Sequence, residues 1–201
     1  MLTPEQINNL PPDTKKEYLQ TALLLDQKKK DQSVRDDFMS FVKYIWPEFI
    51  EGEHHKIMAD KFNKVASGDI KRLIINMAPR HTKSEFASNL LPAWMIGNNP
   101  KLKIIQATHN AELAVRFGRK AKTVIDSEEY QRIFNTRLRE DSKAAGKWET
   151  DQGGEYYAAG VGGSITGRGA DLMIIDDPHS EQDAMNQASF DRAWEWYTSG
   201  P

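Results

Sequence analysis

The 201-residue sequence predicts an α/β fold, with a central, mostly parallel sheet flanked by helices and an N-terminal helical extension. Three observations carry that prediction. Strand-like apolar runs at residues 73–77, 101–107 and 171–175 alternate with stretches of helical periodicity, the order that builds a parallel sheet with crossovers. Two of these runs end in residues that break a ladder, so chemistry-bearing side chains arrive at strand ends. Ahead of them, residues 1–37 carry helical signals only, so the chain divides into an extension over 1–37 and one α/β domain over 38–201.

The elements follow in order. Pro11-Pro12-Asp13-Thr14 supplies a stop and a cap, and Tyr18, Leu19, Ala22, Leu23 and Leu25 then mark an amphipathic helix over 14–30. Val34, Phe38, Phe41 and Val42 place a second helix over 33–44, which Pro47 ends. An aromatic-rich loop from Trp46 to Lys56 leads into a helix over 57–65; its adjacent His54 and His55 are read as pointing apart rather than as a metal pair. Leu73, Ile74, Ile75 and Met77 form a buried strand that Pro79 terminates. From Ser84 the chain turns helical, Pro92 kinks or restarts that helix, and Gly97-Asn98-Asn99-Pro100 marks a turn.

Leu102, Ile104 and Ile105 make the second strand, after which Thr108 or Asn110 caps a helix through Val124. Arg116, Arg119, Lys120 and Lys122 give that helix a basic face, solvated or in contact with DNA or another subunit. Residues 137–147 read as a mobile loop. Asp151-Gln152-Gly153-Gly154 is a hairpin signature between two short strands. Glycines at 160, 162, 163, 167 and 169 then make a loop that approaches a ligand closely or changes shape. The last strand delivers Asp176 and Asp177, and Phe190, Trp194 and Tyr197 define a final helix over 187–197.

Composition narrows the function. Hydrophobic residues make up 39% and charged residues 28%, and no apolar run approaches the roughly 20 residues of a membrane helix. The N-terminus lacks a basic segment followed by an apolar core, the pattern of a secretory signal. The absence of cysteine excludes disulfides and thiolate metal sites. A net charge of −2 is not that of a protein gripping nucleic acid over its whole surface, so any such grip resides in local patches, in an assembly or in a further segment.

Two stretches carry chemistry. A strand, the loop Pro79-Arg80-His81-Thr82-Lys83-Ser84 and a helix start have the layout of a phosphate cradle. Backbone N–H groups and the helix dipole meet phosphate there, Lys83 reaches the β/γ-phosphates, and the Ser84 hydroxyl takes Mg²⁺. Met77 and Thr82 occupy the two glycine positions of the usual pattern. Downstream, Asp176 is placed to hold Mg²⁺ and Asp177 to orient water. The pair of motifs predicts a P-loop NTPase-type sandwich binding ATP and Mg²⁺.

Together with the run from Gly160 to Asp171 and Ile174-Ile175-Asp176-Asp177-Pro178, this loop resembles the ATPase domain of tailed-bacteriophage large terminases, the DNA-packaging motors. The resemblance runs from about Phe38 onward. It implies Walker A and Walker B functions for the two motifs, and an ATPase that drives double-stranded DNA into a procapsid in the host cytoplasm. It also implies a homo-oligomeric ring, with the small terminase subunit and the portal as partners. The segment upstream of the phosphate loop would hold adenine, through Trp46, Phe49 or His55. An arginine would stabilise the transferring phosphate: Arg168 offered from a neighbouring subunit, or Arg80 acting within its own. The family usually carries Gly at the Thr82 position and often Glu at the Asp177 position. It continues into a further core strand and a nuclease domain, and no nuclease activity is expected of this chain. The alternatives are a helicase-like translocase and a non-hydrolysing nucleotide-binding assembly subunit.

Overall fold

A broken helix opens the α/β domain, and the break has a local cause. The computed structural model describes residues 2–142, 144–165 and 167–199; Lys143 of the 137–147 loop, Thr166 of the glycine-rich run and the C-terminal Gly200 and Pro201 lie outside them. After the short α1 (Pro4–Asn8), α2 runs over Pro12–Asp36, longer at both ends than the sequence predicts. It stops because the Asp37 carboxylate accepts from Ser40 N–H at 2.7 Å and caps a new helix, α3 (Phe38–Ile45). Asn63 fixes the junction by accepting from Phe38 N–H at 2.8 Å and donating to Asp37. The predicted start at Ser33 is therefore displaced to Phe38.

Only the C-terminal end of α2 packs on the domain, where Val34 is buried, Arg35 donates to the Ile133 carbonyl and the Trp94 indole donates to the Arg35 carbonyl. Leu19, Leu23 and Leu25, expected on the apolar stripe of an amphipathic helix, are exposed.

Helix α4 (Glu53–Ala66) completes the layer with α3. Phe38 lies at the centre of this core, edge-on to Phe62, Phe86 and Trp94 at ring separations of 5.2 to 5.5 Å. Residues 73–77 join no ladder of the described sheet, so the predicted first strand is not a paired strand. Its burial alternates: Leu73, Ile75 and Met77 pack against the core, while Ile74 is 85% exposed. After the 79–84 loop, Glu85–Leu90 winds as a π-type helix that α5 (Leu91–Asn98) continues, with Pro92 just past the junction, where its ring removes one backbone N–H from the continuous helix.

Among the described residues the sheet has four strands in the order β2-β3-β1-β4. Strand β1 (Lys103–Thr108) pairs in parallel with β3 (Glu155–Gly160) on one side and with β4 (Leu172–Ile175) on the other. Strand β2 (Lys147–Glu149) joins β3 as the antiparallel arm of the predicted hairpin. Trp148 stacks face to face on its cross-strand partner Tyr156 at 4.8 Å, both fully buried, and Gly153 makes the turn with φ of +93°. Helix α6 (Ala111–Ile125) crosses over from β1, capped by Asn110, whose side chain accepts from Leu113 N–H at 2.8 Å; the short α7 (Glu128–Ile133) follows.

The larger core lies between α3 to α6 and one face of this sheet. A smaller cluster of Ile105, Ala159 and Ile165 lies apart from it, with Tyr157, Met173 and Trp196 packed against it. Ile165 comes from the glycine-rich run, which leads from the end of β3 back to the start of β4, and Trp196 comes from α8 (Gln187–Ser199) and donates to the Gly163 carbonyl at 2.9 Å. Because β3 and β4 flank β1 on opposite sides, β1 and β4 open a switch point at their carboxyl ends, the place where open α/β sheets form a ligand crevice.

Candidate functional site

Strand β4 ends directly at the site. Asp176 N–H donates to the Ala107 carbonyl at 2.9 Å, extending the β1–β4 ladder by one bond and pinning the first carboxylate at the strand end. Asp177 then leaves the sheet with φ of +46°, and its carbonyl accepts from His109 N–H at 3.0 Å. The two aspartates are thus placed by backbone bonds from the strand beside them.

Lys83 meets both. Its Nζ lies 2.6 Å from Asp177 Oδ1 and 3.4 Å from Asp176 Oδ1. Asp176 is only 6% exposed and the Asp177 side chain 61%, so the ammonium bridges a buried acceptor and an exposed one. Burial pulls the Lys83 ammonium down, but the Asp177 hydrogen bond and the charges of Asp176 and Asp177 outweigh it, leaving the group above the ordinary lysine value. The other lobe of Asp176 is held from inside the core: Ser88 Oγ donates to Asp176 Oδ2 at 2.8 Å, and Gln106 Nε2 donates to Ser88 Oγ at 3.2 Å.

The loop feeding Lys83 is sharply bent. Arg80 and Thr82 have φ of +63° and +61°, unusual for residues with a Cβ. His81 Nδ1 donates to the Pro79 carbonyl at 2.8 Å, and Thr82 Oγ1 donates to the His81 carbonyl at 2.6 Å. Ser84 precedes the π-type helix without capping it. Pro79, Arg80 and His81 are exposed, whereas Thr82, Lys83 and Ser84 are half-buried.

The upstream aromatics take separate positions. Trp46 is 37% exposed and touches Phe49 at 5.4 Å. Phe49 packs between Trp46 and the rings of His55 and Phe86. His55 is buried, with Nε2 2.5 Å from Thr82 Oγ1. His54 and His55 do not point apart: their rings lie 3.8 Å from each other, both folded back over Gly52, where an added Cβ would stand 2.8 Å from the His54 ring. Among the described residues, no group of three or more histidine, aspartate or glutamate side chains is arranged to hold a metal ion.

Arg168 stays away from this cluster. It donates to Glu155 Oε1 at 2.8 Å and lies over the Tyr157 ring at 3.9 Å. Glu155 begins β3, so this arginine is braced at the end of the sheet opposite Lys83 and the aspartates.

Sequence reasoning missed Ser88 and Gln106. Gln106 is a polar residue inside the apolar run of β1, and that was its available signal, because such a residue, once buried, must find a partner; Ser88, beside Asn89, carries no such signal.

Comparison with curated proteins adds an independent observation. Over 165 residues, 80% of this chain, 24% of positions are identical to the terminase large subunit of Enterobacteria phage T3. This chain is distantly terminase-like. It spans 28% of the length of that relative. No family model matches the chain. No helix among the described residues is long and apolar enough to cross a membrane.

Proposed function

We propose that this chain is the ATP-hydrolysing motor domain of a DNA-packaging machine, powering translocation of double-stranded viral DNA into a procapsid. The observation that carries the reading is the convergence of Lys83 with Asp176 and Asp177 at the carboxyl end of β4, beside the switch point of the sheet. The similarity to a phage terminase large subunit supports it.

The donor set suits a magnesium-bound triphosphate: one ammonium, one buried and one exposed carboxylate, a hydroxyl at Ser84 and the backbone N–H groups of a helix start. Residues 79–84 would cradle the phosphates, with Lys83 turning from Asp177 toward them. Ser84 and Asp176 would hold Mg²⁺, which neutralises charge on the phosphate oxygens when bound. Asp177, released from Lys83, would orient the attacking water, and Arg80 or a neighbouring subunit's Arg168 would stabilise the transferring group. Catalysis by such a site is mainly positioning and charge stabilisation. Trp46 and Phe49 would offer the adenine a flat face. The partners in this reading are DNA, further copies of the chain in a ring, the small terminase subunit and the portal, in the host cytoplasm.

The test is phosphate release from ATP with Mg²⁺, with and without DNA, for the wild type and Lys83→Ala. Turnover that disappears in the variant is expected; equal rates in both proteins reject the assignment. Saturable ATP binding without release would replace the motor with a binding module, and duplex unwinding would replace it with a helicase-like translocase.

A further inference from the structure

We propose that His55 is a positioning residue of the 79–84 loop, holding its left-handed turn in place through the hydroxyl of Thr82. The functional consequence rests on the nucleotide-binding reading above; the contact itself rests on geometry alone.

Thr82 stands where a phosphate loop ordinarily has glycine, and its φ of +61° is a region that a β-branched residue occupies only when its surroundings retain it. Three hydrogen bonds in series retain it. Gly52 N–H donates to His55 Nδ1 at 2.8 Å, His55 Nε2 lies 2.5 Å from Thr82 Oγ1, and Thr82 Oγ1 donates to the His81 carbonyl at 2.6 Å. The first bond fixes the tautomer: Nδ1 accepts, so the neutral ring carries its proton on Nε2 and donates it to Thr82. The hydroxyl oxygen is then an acceptor toward His55, and its own hydrogen is directed to His81. The donor and acceptor roles along the series are thus mutually consistent.

The anchor is buried and packed. His55 is 6% exposed, in the first turn of α4, with its ring 4.8 Å from Phe49 and 5.1 Å from Phe86. The far end of the series is the site itself, because Thr82 precedes Lys83 and its carbonyl accepts from Phe86 N–H at 3.0 Å, setting the first turn of the following helix. The direction in which Lys83 and Ser84 leave the loop is therefore coupled to the core through this imidazole as well as through the Phe86 N–H. A glycine at position 82 would adopt this φ without an anchor; threonine needs one, and with it gives the loop a defined shape.

A double-mutant cycle tests this, reading kcat and KM for MgATP and, without nucleotide, Tm. Thr82→Val removes the hydroxyl at nearly constant shape and should lower kcat/KM about tenfold, mainly through KM, while Thr82→Ser stays within about twofold. His55→Ala should lower kcat/KM about tenfold in the wild type and less than about twofold further in Thr82→Val. Equal losses from His55→Ala in both backgrounds, or no difference between the valine and serine variants, overturn the proposal. If His55→Ala does not fold, valine against serine at position 82 still decides, since neither alters the core. Coupling in Tm with an inactive wild type upholds the contact and rejects the nucleotide reading; turnover with additive effects does the reverse.

Discussion

Ser88 Oγ donates to Asp176 Oδ2 at 2.8 Å from a fully buried position, so the less exposed of the two site carboxylates is oriented by the core rather than by the loop. Ser88 lies one helical turn beyond Ser84, in the π-type stretch, a winding often found at functional sites. Ser88→Ala leaves Asp176 with one bond fewer in a buried setting, a loss of about 1–3 kcal/mol. For a chain of this size that is roughly 2–4 °C of Tm per kcal/mol. The Mg²⁺ concentration for half-maximal ATPase should rise as well; a variant with lowered Tm and unchanged Mg²⁺ dependence would limit Ser88 to a structural role.

On the proposed function, variants of Lys83 and Asp177 should separate binding from turnover. Lys83→Met removes the cation beside a carboxylate that is 6% exposed, so the variant should lose about 1–3 kcal/mol of stability and should also lack the rise in Tm with MgATP that is expected of the wild type. Asp177→Asn acts on an exposed side chain and should change Tm little, while cutting kcat by a factor on the order of 10² or more with MgATP binding retained. Calorimetric titration alongside phosphate release distinguishes the two variants. An Asp177→Asn protein that hydrolyses normally would remove the water-orienting role.

The α/β class, the hairpin, the Asn110 cap and the meeting of the two charged motifs were legible in the sequence because each has a short-range signal: alternation, a glycine turn, a capping side chain, an apolar run ending in carboxylates. What was not legible depended on contacts between distant segments. Residues 73–77 have the composition of a strand, yet pairing is decided by what lies beside them, and the described sheet leaves them unpaired. The stripe on α2 predicts burial by periodicity alone, yet Leu23 is 71% exposed. Pairing of His55 with Thr82 spans 27 positions, and Ser88 reaches Asp176 across 88. No local pattern encodes either distance.

The two candidate arginines give opposite expectations. Arg80 sits exposed in the loop that carries Lys83, whereas Arg168 is held by Glu155 and Tyr157 at the far end of β3. In dilute protein, Arg80→Ala should lower kcat by a factor on the order of 10³. Arg168→Ala should cost about 1 kcal/mol of stability through its ion pair and ring contact, with kcat within about threefold. The assembled ring is the decisive comparison. If Arg168→Ala abolishes turnover only there, and mixing with Lys83→Ala subunits restores it, the arginine acts across the interface.

The pH dependence of the loop follows from His55. Burial holds its ring below the ordinary histidine value, the nearby His54 and His81 push the same way, and Glu51 opposes them. A depressed value in the folded state means the unfolded chain takes up the proton first, so stability is complete above the unfolded value near about 6.5 and is lost as pH falls through the folded one. Protonation also puts a hydrogen on Nδ1, which can then no longer accept from Gly52 N–H, so the hydrogen-bond series to Thr82 loses its first link. Lowering the pH from about 7.5 to about 5.5, above the range where ordinary carboxylates titrate, should therefore reduce Tm and raise KM for MgATP together. His55→Gln, which has no group titrating there, should lack this component of both slopes. Parallel Tm and KM profiles in the two proteins would show that the imidazole proton has no influence on the loop.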